Sequence, residues 1–317
     1  MKNTKANGKH LLQKPLVVLA MAMVSCALWG SAFPSIKVGY RLFNIGSGEI
    51  GMQILFAGAR FTCSGLLVIL FGSVQNRKIV VPKRENLWCI AQIGFFQTVV
   101  QYSCFYVALA KISGVRASIL DSVSAFFCMI VAVFIFRTEK PVARKFLGCL
   151  ISILGVVYFY SNGDLLSGAV TFAGEGIMII SKIGYAMSSS LIHINSRRED
   201  PVTISGWQFF FGGIVLQIIG LLLGGHYTLP SLGALGIFVY LAFLSAVAYT
   251  VWGVLLKYNE VSKVSVYAFM TPIFGALLSA IILGEKDELG LRAILALAII
   301  SIGIFIVNVD PGKKEKA

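Results

Sequence analysis

Trp29-Gly-Ser-Ala-Phe-Pro-Ser-Ile-Lys37 lies inside one long apolar stretch, and Tyr185-Ala-Met-Ser-Ser-Ser-Leu-Ile-His193 lies inside another further along the chain. Laid on each other, they place Trp29 over Tyr185 and Lys37 over His193. The same order continues through three more segments. Arg60-Phe61 lies on Gln208-Phe209, Tyr102 to Lys111 lies on Tyr249 to Tyr258, and Glu139-Lys140 lies on Glu285-Lys286. Each match alone is weak. Four in one order, with a slowly drifting spacing, indicate an internal duplication.

The apolar stretches define what is duplicated. A membrane-spanning helix needs about 20 mainly apolar residues. Ten stretches qualify, at 16–38, 50–72, 87–109, 114–136, 143–160, 173–194, 204–224, 231–255, 264–283 and 290–308. Backbone polar groups in lipid must be bonded internally, so these are helices rather than open strands. An outer-membrane barrel would alternate over segments of about ten residues, and runs such as Ile294–Val307 do not. The expected fold is all-α: ten transmembrane helices in two five-helix repeats, 15–160 and 161–308. Polar tails at 1–14 and 309–317 flank them. The first apolar run is too long for a signal-peptide core and has no A-x-A site, so it is expected to remain as span 1.

Composition agrees. The chain of 317 residues is 57% hydrophobic and 13% charged. Soluble domains carry about 45–50% apolar and about 25% charged residues. A soluble enzyme and a disordered chain are both excluded. The net charge of +13 does not mark a nucleic-acid partner, because the charges fall in short runs between spans. The N-terminal tail has four lysines. The 2–3 loop has Arg77, Lys78, Lys83 and Arg84, and the 4–5 loop has Arg137, Lys140, Arg144 and Lys145. Arg197 and Arg198, Lys257 and Lys263, and three C-terminal lysines complete that side. The other side has only Arg41, Lys111, Arg116, Lys286 and Arg292. The positive-inside rule therefore puts both termini in the cytoplasm. Five spans per copy is odd, so the second copy enters the membrane inverted. Inverted repeats with a site at their interface are a secondary-transporter architecture.

Few ionisable groups lie within spans, and a charge in hydrocarbon is expensive enough to be a functional candidate by default. Arg60 in span 2, Asp121 in span 4 and Lys182 in span 6 fall between the outer leaflet and the midplane, and are expected to face one another or water. Asp121 is a candidate for proton or cation coupling, or for binding a substrate amino group; a fixed salt bridge is the competing account. Lys37 and His193 are counterparts near opposite span ends, where snorkelling accounts for both. Glu175 suits a helix N-terminus. Gln97 and Gln101 share one face of span 3, with Tyr102 beside them. With Trp29, Gln208, Tyr249 and Trp252 they could line a cavity for an amphipathic solute. Pro34 and Pro272 interrupt spans 1 and 9 and are hinge candidates.

No HExxH, GxSxG or Walker A sequence is present. Cys26, Cys63, Cys89, Cys104, Cys128 and Cys149 lack metal-ligand spacing and sit in apolar runs, as small buried hydrophobes do. No catalytic residue, metal or cofactor is assigned.

These residues resemble the drug/metabolite transporter superfamily, in particular its EamA-type ten-helix members. The resemblance rests on Trp29-Gly-Ser-Ala-Phe with Lys37, and on Ala108-Leu109 leading to Ala117-Ser118. It continues in Ser265 through Thr271-Pro272 with Gly284-Glu285-Lys286, and in Gly148, Gly155 and Gly303. It covers about residues 15–308. It implies a carrier in which helices 1–4 and 6–9 surround a central cavity and helices 5 and 10 lie outside. It also implies export of amino acids, related metabolites or drugs from the bacterial cytoplasmic membrane. Two departures stand out. Ser124-Ala125-Phe126 occupies the place of the usual first-repeat proline, so the break is expected only in span 9, and Asp121 is not part of the family pattern. The partners implied are a small-molecule substrate, the bilayer and a proton or other coupling ion; monomer and homodimer both stay open. The alternatives are a nucleotide-sugar or phosphate-ester exchanger and a membrane-embedded enzyme.

Overall fold

A computed structural model describes residues 12–161, 170–196, 198–259, 264 and 266–308. Ser265, Arg197, Lys263 and the charged residues of both tails other than Lys14 lie outside the described residues.

The described chain is helical. Its helices are α1 (Pro15–Leu42), α2 (Ile50–Asn76), α3 (87–109), α4 (Gly114–Ile135) and α5 (Ala143–Tyr160) in the first half. The second half has α6 (Phe172–Asn195), α7 (Pro201–Leu222), α8 (Leu232–Tyr258), α9 (Met270–Leu283) and α10 (Leu291–Asn308). Seven of them are long and apolar enough to cross a membrane: α1, α2, α4, α5, α6, α7 and α8. α9 and α10 are apolar but shorter.

Helix pairing follows the duplication. α2 packs along α7 and α5 along α10, pairs that the repeat maps onto themselves. α1 lies against α8 and α9, as α6 lies against α3 and α4. Glycines permit the closest approach. A Cβ on Gly65 of α2 would come 2.4 Å from the Phe210 amide of α7, and one on Gly213 would come 2.4 Å from the Thr62 amide. Small residues let helix backbones approach this closely, and packing rather than hydrophobicity then holds helices together in lipid.

α3 and α4 are less regular than their apolar runs predict. α3 contains a π-helical stretch over Gly94–Gln101, the segment that carries Gln97 and Gln101. α4 breaks after Asp121. Ser122 and Val123 form i→i+3 bonds to Ile119 and Leu120, and the Ser122 hydroxyl donates to the Ile119 carbonyl at 2.6 Å. The break expected only in span 9 is thus present in span 4 as well. A serine bonding back onto its own turn disturbs the ladder without a proline. In α9, a 3₁₀ turn over Val266–Phe269 precedes the helix containing Pro272. α1 runs through Pro34 unbroken.

Candidate functional site

Asp121 ends the first segment of α4, just before the irregular turn at Ser122 and Val123. Its Oδ1 lies 2.5 Å from Lys182 Nζ of α6. The lysine side chain is 2% exposed and the carboxylate 25% exposed, so the carboxylate is the member that faces open space. Lys182 Nζ also lies 4.7 Å from the centre of the Phe105 ring, a cation–π contact that supports the ammonium on its other side.

Arg60 does not join this pair. It is buried in α2, where Nε donates to the Leu241 carbonyl at 3.1 Å and the terminal nitrogens donate to Ser245 Oγ at 2.7 Å and to the Tyr106 hydroxyl. Its guanidinium lies 4.8 Å from the Phe61 ring centre. The planar fork can divide its charge among several neutral acceptors, which a compact ammonium cannot do as well. Arg60 therefore ties α2 to α3 and α8, and the expectation that the three charges face one another or water is corrected to a pair plus a separate buried strut.

Between these charges lies an aromatic and amide cluster. Trp29 packs edge-on against Tyr249 at 5.3 Å and against Trp252 at 5.1 Å. The Tyr249 hydroxyl is 2.7 Å from the Tyr102 hydroxyl and accepts from Gln97 Nε2 at 3.0 Å. Tyr102 lies against Phe61 at 4.0 Å. Thr98 Oγ1 donates to Gln208 Oε1 at 2.6 Å. Among the described residues, four buried polar atoms here have no hydrogen-bond partner: Trp29 Nε1, Gln97 Oε1, Gln101 Oε1 and Gln208 Nε2. An unpaired buried donor or acceptor costs about 1–3 kcal/mol. Two unmet donors and two unmet acceptors in one region fit a ligand carrying both kinds of group. The π-helical stretch is what places the two glutamines, and such bulges recur at functional sites.

The two ends of the helix bundle differ. At the end away from the termini, Lys37 turns inward rather than snorkelling. It donates to the Ile112 carbonyl at 2.6 Å and lies 4.0 Å from Glu285. Glu285 in turn accepts from the Val115 amide at 3.0 Å. Ser113 donates to Glu288, and Arg116 pairs with Glu175 at 3.4 Å. Glu175 also accepts from the Thr171 amide at 3.0 Å, so its place at a helix N-terminus agrees with the dipole reading. At the other end Glu199 accepts from the Lys83 amide at 3.0 Å and from Asn86 at 2.9 Å. Sequence reading did not find Phe105, Ser113 or the Lys37–Glu285 contact. The one available signal was that Lys37 and Glu285 each have a repeat counterpart.

Among the described residues no group of three His, Cys, Asp or Glu side chains lies together as metal ligands would. A helical bundle of apolar spans, duplicated, with a cluster of buried polar groups in its interior, has the architecture of a multi-pass membrane transporter. Residues 16–161 and 172–309 both match the EamA-like transporter family, and the chain belongs to it. Its relatives include an uncharacterized inner membrane transporter, YedA, of Escherichia coli, 26% identical over 90% of each chain. An uncharacterized transporter of Synechocystis is 26% identical, covering 89% of this chain and 86% of that one. One of Methanothermobacter thermautotrophicus is 28% identical over 71% of this chain and 65% of its own length. A protein of known crystal structure shares the fold, with a TM-score of 0.62 at 14% identity, covering 93% of this chain and 98% of that one.

Proposed function

We propose that this chain is a secondary transporter of the cytoplasmic membrane that exports a small amphipathic metabolite, such as an amino acid or a related compound. The two halves enter the membrane inverted, with both termini in the cytoplasm, and rock about the central cluster to expose it to each side in turn. The observation that carries this reading is the set of unpartnered polar atoms on Trp29, Gln97, Gln101 and Gln208 within an aromatic surround. A ligand with an apolar body and a few polar groups satisfies both features. Tyr102, Tyr249 and Trp252 supply the apolar walls, and the Asp121–Lys182 pair supplies a charge switch at the edge. Asp121, the more exposed partner, is the group proposed to exchange a proton or cation during the cycle.

A nucleotide-sugar or phosphate exchanger would use uncommitted cations. Here Lys182 is committed to Asp121, and Arg60 to Leu241, Tyr106 and Ser245. The test is a thermal-shift screen of the purified protein against amino acids, nucleotide sugars and cationic drugs, followed by counterflow of each hit in proteoliposomes. A bound ligand raises apparent stability by mass action. Amino-acid hits whose counterflow is lost in Gln101→Leu support the proposal; nucleotide sugars as the sole hits overturn it.

A further inference from the structure

The Lys37–Glu285 contact holds one end of the bundle together across the two halves. Lys37 belongs to the first half. Its ammonium is fixed by the carbonyls of Leu109 at 3.4 Å and Ile112 at 2.6 Å, at the end of α3. Glu285 belongs to the second half and reaches back to Lys37 and to the Val115 amide at the start of α4. The glutamate is thus the member that crosses between halves.

The duplication gives each part a counterpart at the opposite end. Lys37 corresponds to His193, Glu285 to Glu139, and the end of α3 to the end of α8, where Asn259 matches Ile112. In this structure the counterparts are not engaged. Glu139 is bound instead to Lys145 of its own half at 2.6 Å, with 44% of its side chain exposed. His193 is exposed at the end of α6, and its ring has no hydrogen bond or ion pair among the described residues. The neighbouring chain already meets. Phe136, three residues before Glu139, packs in one cluster with Leu191 and Ile192, next to His193.

We infer that His193 and Glu139 form the second latch, which closes the terminal end when the Lys37–Glu285 latch opens. Glu139 leaves Lys145 and accepts a hydrogen bond from the His193 ring, while Glu285 releases Lys37. The two latches are the same device used once per half, as two inverted copies exchanging conformations require. Each state then holds one closed latch, so neither end of the bundle is left open while the other opens. This inference rests on the alternating-access reading above.

The experiment uses the full chain with its six cysteines replaced and a single reporter cysteine at Ser124, beside the break in α4. A membrane-impermeant maleimide is applied from either side of oriented vesicles, and labelling rates are compared. His193→Lys, which copies Lys37, is expected to slow labelling from the terminal side and speed it from the far side. The expected change is about two- to fivefold, what a partly exposed ion pair can drive in a two-state equilibrium. Adding Glu139→Gln is expected to cancel that shift, and Glu285→Gln alone is expected to raise far-side labelling. Monodisperse elution in detergent screens out variants that fail to fold. If Glu285→Gln shifts labelling while His193→Lys and Glu139→Gln do not, the second latch is wrong and alternating access stands. If every variant is labelled from one side only, alternating access itself is wrong.

Discussion

Lys182 and Asp121 form a 2.5 Å ion pair in which the cation is nearly enclosed and the carboxylate is not. The asymmetry matters because the pair lies in apolar surroundings, where each charge alone would be costly. A ligand or proton arriving from open space meets Asp121 first. Loss of the Asp121 charge strands an ammonium, and loss of Lys182 strands a carboxylate.

Three variants separate these roles. Asp121→Asn and Lys182→Gln each leave one charge unpaired and are expected to lower stability. Removing one partner of a buried pair costs about 3–5 kcal/mol. The 25% exposure of Asp121 puts the loss at or below the lower end of that range. The double variant Asp121→Asn, Lys182→Gln is expected to recover much of it. Thermal unfolding in one detergent, treated as a double-mutant cycle, checks this. In proteoliposomes Asp121→Asn is expected to change the pH dependence of transport; a normal rate with an unaltered pH profile removes Asp121 from coupling.

The ten helices were legible as apolar stretches, but only seven of the described helices are long and apolar enough to cross a membrane, and α9 is shorter than the stretch at 264–283 led one to expect. The repeat was legible because Trp29, Lys37, Glu139 and their counterparts keep their order. The azimuth of each side chain was not. Depth along a helix can be counted from sequence, so Arg60 and Lys182 looked equivalent, yet one faces Ser245 and the other Asp121. The π-helical stretch in α3 and the break after Asp121 also escaped, because both arise from local hydrogen-bond choices at residues such as Ser122 that composition does not mark.

The unpartnered amides predict a trade between stability and activity. Gln101→Leu removes a buried acceptor that has no hydrogen-bond partner among the described residues. Replacing such a group by an apolar one of similar shape is nearly neutral or stabilising. The melting temperature in detergent is therefore expected to hold or rise, while counterflow of the amphipathic substrate falls. A fall in both would make Gln101 a packing residue instead.

The contact between α2 and α7 has no slack. Gly65→Ala would set a methyl group 2.4 Å from the Phe210 amide and 2.7 Å from the Gly206 carbonyl, both of them backbone. The helices must part, at a cost of roughly 1–3 kcal/mol as for other overpacked sites. Gly48→Ala, where nothing lies within 4 Å of the added Cβ, is the control and is expected to change little. Paired melting curves in detergent compare the two.

Glu199 offers a prediction about acid. Partial burial raises its carboxyl pKa, but hydrogen bonds from Asn86 and from the Lys83 and Asp200 amides outweigh that and hold it below the ordinary glutamate range. A carboxyl whose pKa is depressed by folding stabilises the folded state above the unfolded-state value, about 4.3. That contribution is lost as pH falls through the folded value. The junction between the 2–3 and 6–7 loops is thus expected to be intact at neutral pH and to loosen only in strong acid. Glu199→Gln is expected to loosen it at every pH, since an amide accepts these bonds more weakly than a carboxylate. Hydrogen exchange at the Lys83 amide measures this directly. Protection at pH 7 should drop in the variant, while the interior of α2, held by Gly65 and Phe210, should keep its protection. Equal protection of Lys83 in both proteins would show that Glu199 does not hold the loops.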